Sequence, residues 1–304
     1  MILFHWFFVG LTAPFLIGVI ARVKALVSGK VGPSLFQPYF DLIKLFSKQC
    51  VYSHGVTWVF RISPAVTLAA MLIVCLLVPF GSLKAPVQFS GDILLIVAVL
   101  SLSRFFMIAA ALDTGFSLEG LGASREAFFA CLSEVALFMC LIALTLLARR
   151  MSLSGMLGAD SPLSWNLLGP ALLMVVASLF IVMLAENCRI PVDDPDTHLE
   201  LTMIHEVMLL EHSGVDLAYM YYAAIIKFFI FGAILVPIIL PVQTIFPFIN
   251  TLIFAGGMIG LAALVGLVES SMARIRLNRV RNLLLIAFAL AFFGLIVTLW
   301  RGAL

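Results

Sequence analysis

Titratable side chains are concentrated in one stretch of this 304-residue chain, RIPVDDPDTHLELTMIHE, residues 189–206. Arg189 is followed by three aspartates, two glutamates and two histidines. Carboxylates and imidazoles exchange protons and bind metal ions. Three roles are therefore open for this acidic loop: a solvated surface, a metal site, or part of a proton path.

The spacing of the histidines bears on the metal role. His198, His205 and His212 recur at intervals of seven residues, whereas two metal ligands on one helix usually stand three or four apart, as in H-E-x-x-H. We therefore predict no metal site in this chain. Apolar side chains are mixed with the charges between Leu199 and Leu210, which indicates a helix covered by protein rather than a solvated loop.

Ionisable side chains also occur where the chain is otherwise apolar. Each costs at least about 2.5–3.5 kcal/mol at bilayer depth, so each needs a partner or a function. Six lie in or at the ends of apolar runs: Arg104, Asp113, Glu134, Glu186, Lys227 and Glu269. Together they predict a proton relay. The alternative is that Arg104 pairs with Asp113 or another carboxylate and joins two helices.

The composition identifies the elements that must position these groups. Hydrophobic residues make up 63% of the chain and charged residues 11%, against about 25% charged in a soluble domain. This predicts an all-α polytopic membrane protein forming a single transmembrane domain, 1–304. Apolar runs of about 20 residues, the length of one span, occur eight times, at about 2–21, 63–82, 92–112, 127–148, 167–187, 220–241, 248–268 and 282–300. Glu126 and Glu134, about two turns apart on the fourth span, are predicted to face similar sides.

Lysines and arginines predict the orientation, because they accumulate on the cytoplasmic side. With eight spans, twelve of them fall on one side and four on the other. The prediction is an inner-membrane protein with both termini outside. Its cytoplasmic loops are predicted at about 22–62, 113–126, 188–219 and 269–281.

A short amphipathic helix is predicted in the first large loop. In SLFQPYFDLIKLFSK, aromatic and aliphatic side chains fall on one helical face and polar side chains on the other. Such a helix lies in the membrane interface or packs against a partner subunit, and the sequence leaves both open. The five cysteines are scattered without a C-x-x-C pair, so redox centres are expected on partner subunits.

Four segments resemble the membrane-anchor subunit shared by respiratory complex I and the group 4 energy-converting nickel–iron hydrogenases. They are VGPSLFQPYFDLIKL, LDTGFSLEGLGASREA, Glu134 nine residues after Arg125, and AENCRIPVDDPDTHLEL with EHSG further on. The LDTG and ESSMARIRL segments are similar to the formate hydrogenlyase and hydrogenase-4-like branch. The family's E-x-E-x-E becomes Asp196-x-His198-x-Glu200, and one Gly-Pro pair stands where complex I carries two.

The resemblance implies a membrane subunit that anchors a peripheral electron-transfer arm and couples its redox chemistry to proton or sodium movement. The implied proton path comprises Glu134, Glu186, Asp193, Asp196, Glu200, Lys227 and Glu269. The implied orienting or coupling residues are Arg125, Glu126, Arg189, Arg104, Asp113, His198 and His205. No catalytic residue is expected in this chain.

The implied partners are peripheral hydrogenase-like large and small subunits, antiporter-like membrane subunits and the lipid bilayer, with no nucleic acid. No cofactor is expected in this chain, while a nickel–iron centre and iron–sulfur clusters are expected on the partners. Three alternatives stay open. A quinone-reducing complex I subunit would bind quinone beside the acidic loop; the others are a purely structural anchor and a stand-alone ion transporter. The transporter would require a midplane substrate site, often within inverted repeats, and the sequence shows no repeat.

Overall fold

The computed structural model describes residues 2–53, 55–81, 83–158, 163, 165–193, 204–241, 246–273 and 275–303. Within these ranges the chain forms ten α-helices and one short 3-10 helix. They are α1 (Ile2–Val27), α2 (Gln37–Phe46), α3 (Trp58–Leu77), α4 (Asp92–Asp113), α5 (Ser117–Ala148), α6 (Leu153–Leu157), α7 (Trp165–Glu186), η1 (Glu206–Leu209), α8 (Gly214–Ile239), α9 (Pro247–Ser271) and α10 (Leu277–Ala303).

Eight of these helices, α1, α3, α4, α5, α7, α8, α9 and α10, are long and apolar enough to cross a membrane among the described residues. The apolar runs form helices because a backbone in lipid must satisfy its hydrogen bonds within its own segment. The predicted all-α polytopic fold and the number of spans are confirmed. The short helix predicted in the first loop is α2.

Several helices extend further than the apolar runs predicted. α5 begins at Ser117 and has 32 residues, a length of about 48 Å at 1.5 Å per residue, so most of the loop predicted at 113–126 is helical. Likewise α8 begins at Gly214, inside the loop predicted at 188–219. An apolar run marks only the part of a helix that crosses the bilayer. The helix can continue through turns with charged side chains where neighbouring protein covers them.

The helices share one hydrophobic core, and α8 is its most enclosed member. In α8, 67% of the residues in its apolar membrane-spanning stretch are buried inside the protein, against 28% in α10. Phe228 and Phe229 of α8 are fully buried, and Phe80 packs edge-on against Phe229. Lys227 therefore stands on the innermost helix.

The bundle has two dissimilar ends. We call the end where α2 and residues 187–193 and 204–213 lie the loop end, and the other the α6 end. At the α6 end the buried Asp92 carboxylate accepts a hydrogen bond from the Leu153 backbone N–H at 2.9 Å and so holds the start of α6. Ser154 accepts one from the Ala85 N–H at 3.1 Å.

Contacts between segments that are distant in the sequence stabilise the loop end. Gly214 has φ +55° and lies so close to the Gln49 carbonyl that a Cβ would come within 2.4 Å of its oxygen, which explains the glycine of the EHSG segment. Ser213 Oγ accepts a hydrogen bond from the Val51 N–H at 2.9 Å. Together these contacts fix the chain between α2 and α3 against the start of α8.

α2 presents its two faces differently. Phe36, just before the helix, and Phe40, Ile43 and Phe46 on it are exposed, whereas Leu42 is buried. Asp41 and Lys44 on the polar face, and Lys48 just after the helix, line a cavity inside the loop end. The exposed apolar face fits both occupants that the sequence left open, the membrane interface and a partner protein.

Candidate functional site

Arg104 of α4 is buried at the centre of a cluster of carboxylates. Its guanidinium binds Glu134 of α5 through Nη1 and Glu186 at the end of α7 through Nη2. Its Nε lies 3.4 Å from Glu126 of α5. One cation therefore joins three carboxylates on two other helices, and the planar fork of arginine suits this geometry.

Glu186 has two further partners. Lys227 Nζ of α8 lies 2.8 Å from Glu186 Oε2, and the Ser133 hydroxyl donates to Oε1 at 2.6 Å. The Glu186 side chain is 1% exposed, against 31% for Glu134. Glu186 is thus the most enclosed carboxylate of the cluster and the one with the most bonds.

The α5 side of this cluster follows the predicted helical spacing. Glu126 and Glu134 both reach Arg104, as expected of residues two turns apart. The cation bound to Glu134 is Arg104. Arg125 itself is half-buried on α5.

Asp113 does not take the role that the sequence considered for it. Its carboxylate accepts hydrogen bonds from the Thr57 N–H at 2.7 Å and the Thr57 hydroxyl at 2.8 Å, while Thr57 caps α3 by accepting from the Val59 N–H. The Arg104–Asp113 pairing is therefore wrong. Arg104 does join helices, but through glutamates.

The segment after α7 covers the cluster at the loop end. Asp193 is buried, and its Oδ2 accepts hydrogen bonds from the Ile204 N–H at 3.0 Å and the His205 N–H at 3.2 Å. Asp193 also lines a small cavity of about 10 Å³ together with Arg104 and Glu126. The first part of the acidic loop thus reaches the buried cluster. Val207, Met208 and Leu209 of η1 are buried, so this described part is covered by protein, as predicted.

Two groups of this segment have strongly shifted titration. Burial lowers the pKa of His205 to about 4, and the nearby positive charge of Lys227 acts in the same direction. Burial also raises the pKa of the Cys188 thiol well above its usual range. At neutral pH the His205 imidazole and the Cys188 thiol are therefore uncharged.

Glu269 and Arg189 belong to a second ion group. Glu269 of α9 is buried and lies 3.4 Å from Arg189 Nη1 and 3.7 Å from Lys24 Nζ of α1. Arg189 also lies over the Phe228 ring, 5.8 Å from its centroid. These contacts tie α1, α9 and the start of the acidic loop together, so the structure does not bring Glu269 into the Arg104 cluster.

A large cavity of about 590 Å³ opens at the loop end beside both ion groups. It lies between α1, α2, α8 and residues 187–193 and 204–209, and it combines charged and apolar side chains. The charged lining comprises Asp41, Lys44, Lys48, Arg189, Asp193, His205 and Glu206. A smaller cavity of about 60 Å³ lies next to it and is lined by Arg104, Glu186, Lys227 and His205, among others.

Asp196, His198 and Glu200 of the predicted site lie outside the described residues. Ser133 and Cys188 contribute to the site although the sequence did not single them out. Ser133 stands seven residues after Glu126, a spacing that places both on one helical face and was a usable signal. Cys188 follows Glu186 by two residues, but its position depends on how the chain turns after α7, which spacing does not show.

Together the fold and this site define a multi-pass membrane protein that encloses an ion cluster beneath a covering loop. The chain matches the NADH dehydrogenase family over residues 1–299 and belongs to it. It is 28% identical to formate hydrogenlyase subunit 4 of Escherichia coli over 93% of both chains. It is 30% identical to hydrogenase-4 component C of the same organism, over 75% of this chain and 71% of that one.

Two further comparisons agree. A subunit of the NADH-quinone oxidoreductase of Carboxydothermus hydrogenoformans is 26% identical over 75% of this chain and 65% of its own. The fold is similar to that of a chain in the membrane-bound sulfane sulfur reductase, an archaeal respiratory membrane complex. The TM-score is 0.82 and the identity 17%, over 98% of both chains. The resemblance predicted from the four segments, to membrane subunits of formate hydrogenlyase, hydrogenase-4 and complex I, is confirmed.

Proposed function

We propose that this chain is the inner-membrane subunit that anchors a hydrogenase-like electron-transfer arm and couples its redox chemistry to proton movement. The observation that carries the proposal is the set of titratable groups between the loop end and the interior of the bundle. Asp193 and Glu126 face one small cavity, and Arg104 joins Glu126 to Glu134 and Glu186. Charged groups at membrane depth that pair with one another are typical of proton relays.

The charge balance of the cluster supports a role in holding protons. Glu126, Glu134 and Glu186 surround two cations, Arg104 and Lys227. Three carboxylates against two cations leave one negative charge in a low-dielectric site, which favours the binding of a proton. A redox event in a partner that changes the local charge would bias where that proton resides. Sodium is the alternative ion.

The proposed partners follow from the names of the relatives and from the scattered cysteines of this sequence, which form no C-x-x-C pair for a redox centre. Formate hydrogenlyase and hydrogenase-4 are multi-component systems by name. We propose that hydrogenase-like large and small subunits bind at the loop end and carry the nickel–iron and iron–sulfur centres. Antiporter-like subunits would contact the chain within the membrane. The loop end would then be cytoplasmic, as the excess of Lys and Arg there favours.

The proton role is tested by Glu134→Gln, which keeps side-chain size and removes titration. We expect the variant to assemble with its partners but to move protons at least tenfold more slowly, since a positioned acid–base group contributes roughly 10²–10⁴-fold to proton transfer. Glu134→Asp should restore part of the rate. The measurement compares complex abundance on native gels with ΔpH formation in vesicles, driven by reduced methyl viologen.

Asp160→Asn is the matched control, since the sequence predicts Asp160 in the loop between the fourth and fifth spans, on the side of the membrane opposite to the acidic loop. It should leave ΔpH formation unchanged. A Glu134→Gln complex that assembles and moves protons at the unmodified rate would remove Glu134 from the path. Loss of assembly in both Glu134 variants would instead assign Glu134 to the scaffold.

The orientation is tested with fused reporters. Because twelve lysines and arginines fall on one predicted side and four on the other, a reporter at Leu304 should be external and one beside Lys48 cytoplasmic. A phosphatase and a fluorescent-protein fusion at each site measure the side independently. Cytoplasmic signal from the C-terminal fusion would reverse the orientation and the proposed docking side.

The large cavity favours quinone reduction as a second candidate. Its volume of about 590 Å³ lies within the 300–1,000 Å³ usual for ligand pockets, and its lining is both apolar and charged. A purified complex that reduces a short-chain quinone, with the rate lowered by a bulky substitution at Leu42 in the lining, would favour this candidate. Copurification of a nickel–iron large subunit without quinone reduction would favour the first.

A further inference from the structure

Two cavities meet at a shared partition near the loop end. The large cavity of about 590 Å³ and the small one of about 60 Å³ have five lining residues in common: Asn187, Cys188, His205, Met220 and Ala224. The small cavity leads directly to Arg104, Glu186 and Lys227. We call these five residues the partition. A proton that moves from the large cavity through the small cavity to the buried cluster must pass them.

The chemistry of the partition selects one residue. Asn187, Met220 and Ala224 carry no titratable group, and burial raises the pKa of the Cys188 thiol so that it stays protonated. His205 has both a ring nitrogen that donates and one that accepts when neutral. Among the five residues, only His205 has a side chain that can accept a proton at one nitrogen while it releases another from the second nitrogen.

The surroundings of His205 keep its ring neutral and in place. Burial and the charge of Lys227 lower its pKa to about 4, although Asp193 opposes the shift. Its backbone N–H donates to Asp193 Oδ2 at 3.2 Å. Its Nδ1 is enclosed and has no hydrogen-bond partner among the described residues, so no hydrogen bond within the described chain fixes the tautomer at this nitrogen.

Charged groups line both cavities that His205 borders. Arg104 of α4, Glu186 of α7 and Lys227 of α8 share the small cavity with it. On the large-cavity side the charged groups are Asp41, Lys44, Lys48, Arg189, Asp193 and Glu206. The imidazole therefore lies between the large cavity, which is lined by both acidic and basic side chains, and the small cavity, which is lined by Glu186 and its cationic partners.

We propose that His205 carries protons between the large cavity and the Arg104 cluster, an inference that rests on the proposed proton role of this chain. The unprotonated ring nitrogen accepts a proton from one cavity, and the other nitrogen releases its proton to the opposite cavity. The ring ends neutral in its other tautomer, and rotation of the ring or the reverse transfer restores the first. The 60 Å³ of the small cavity exceeds the roughly 10–15 Å³ that one water needs, so the transfer does not require direct contact with Glu186.

Chemical rescue tests this role separately from packing. We expect His205→Ala, purified with its partner subunits in vesicles, to form ΔpH about tenfold more slowly than the unmodified complex when driven by reduced methyl viologen. Imidazole added to the medium should restore at least about half of that loss, because the large cavity gives it access to the emptied position. His205→Gln keeps polarity and size but leaves no such space, and should be slow and unresponsive to imidazole.

His212 provides the matched control. It too is a buried histidine whose pKa burial lowers to about 4, but it is stacked on Phe60 at 4.0 Å and is not among the residues lining these two cavities. His212→Ala should lower the yield of complex without an imidazole-dependent change in rate per complex.

The outcomes separate this inference from the proposed function. If Glu134→Gln abolishes ΔpH while His205→Ala pumps normally, His205 is not the carrier and the relay stands. If neither variant affects ΔpH, the relay itself fails. A His205→Ala complex that imidazole does not restore, or His205 variants that do not assemble, would assign His205 to structure and overturn the inference.

Discussion

Replacing Arg104 with methionine is expected to remove most of the assembled complex from the membrane. The guanidinium is 7% exposed and binds three carboxylates. Its loss leaves Glu126, whose side chain is 13% exposed, and the more exposed Glu134 without the cation that Arg104 supplies. Breaking a buried ion pair costs about 3–5 kcal/mol, and a domain is stable by only about 5–15 kcal/mol.

Restoring the charge balance should recover part of the loss. Arg104→Met combined with Glu126→Gln and Glu134→Gln leaves Glu186 and Lys227, which stay paired at 2.8 Å. Removing a whole buried ion network is often close to neutral for stability, whereas removing one partner is not. We therefore expect the triple variant to assemble better than Arg104→Met alone, with abundance measured on native gels and thermal stability in detergent.

Arg150→Met is the matched control, because Arg150 is exposed near the α6 end. Its effect should stay within about 0.5 kcal/mol, as for most surface substitutions. Normal assembly of Arg104→Met would contradict the arrangement of charges in the cluster. It would mean that the three glutamates tolerate burial without a shared cation.

Glu186→Gln is expected to destabilise the protein more than Glu134→Gln. Glu186 accepts from Arg104, from Lys227 at 2.8 Å and from Ser133 at 2.6 Å, whereas Glu134 is the more exposed carboxylate. The amide keeps the Ser133 contact but loses the charge that balances Lys227. The free energy of unfolding, measured by thermal or denaturant unfolding in detergent, should therefore fall further in Glu186→Gln.

A double-mutant cycle isolates the Glu186–Lys227 pair. Glu186→Gln with Lys227→Met should be less destabilising than the sum of the single changes, with a coupling energy of roughly 0.5–3 kcal/mol. The comparison cycle pairs Glu269→Gln with Lys227→Met, because Glu269 binds Lys24 and Arg189 instead. That cycle should be additive within about 0.3–0.5 kcal/mol. Additivity in both cycles would show that the 2.8 Å contact contributes no net stability.

These expectations divide the predicted path into two kinds of residue. Glu186 is bonded on three sides and fixes the positions of Arg104 and Lys227. Glu134, at 31% exposure, lies at the edge of the cluster, where exchange with water is easier. We therefore expect Glu186 variants to act mainly on stability and Glu134 variants mainly on proton movement.

The sequence by itself determined the membrane class, the eight spans and the residues from which the site is built. A long apolar run in lipid forms a helix, because the backbone must satisfy its hydrogen bonds within the segment. Ionisable side chains at bilayer depth are too costly to occur without partners. Helical spacing also placed Glu126 and Glu134 on one side of α5. These properties are local, so a linear chain displays them.

Only the tertiary structure decided which charges pair. Arg104 binds Glu126, Glu134 and Glu186, which are 22, 30 and 82 residues away in the sequence. Asp113, nine residues away, lies at the end of α4 and holds the residue that caps α3 instead. Ion pairs between helices depend on the rotation and depth of each helix in the bundle, and apolar periodicity fixes neither.

The packing of the helices, which local sequence does not fix, also explains why the two ion groups are separate and why His205 lies at the partition. Glu269 was equivalent to Glu186 in the sequence, because both close an apolar run. Packing of α9 against α1 places it beside Lys24, away from Arg104. His205 lines two cavities because residues 187–193 and 204–209 lie where these cavities adjoin, a long-range arrangement that no local spacing encodes.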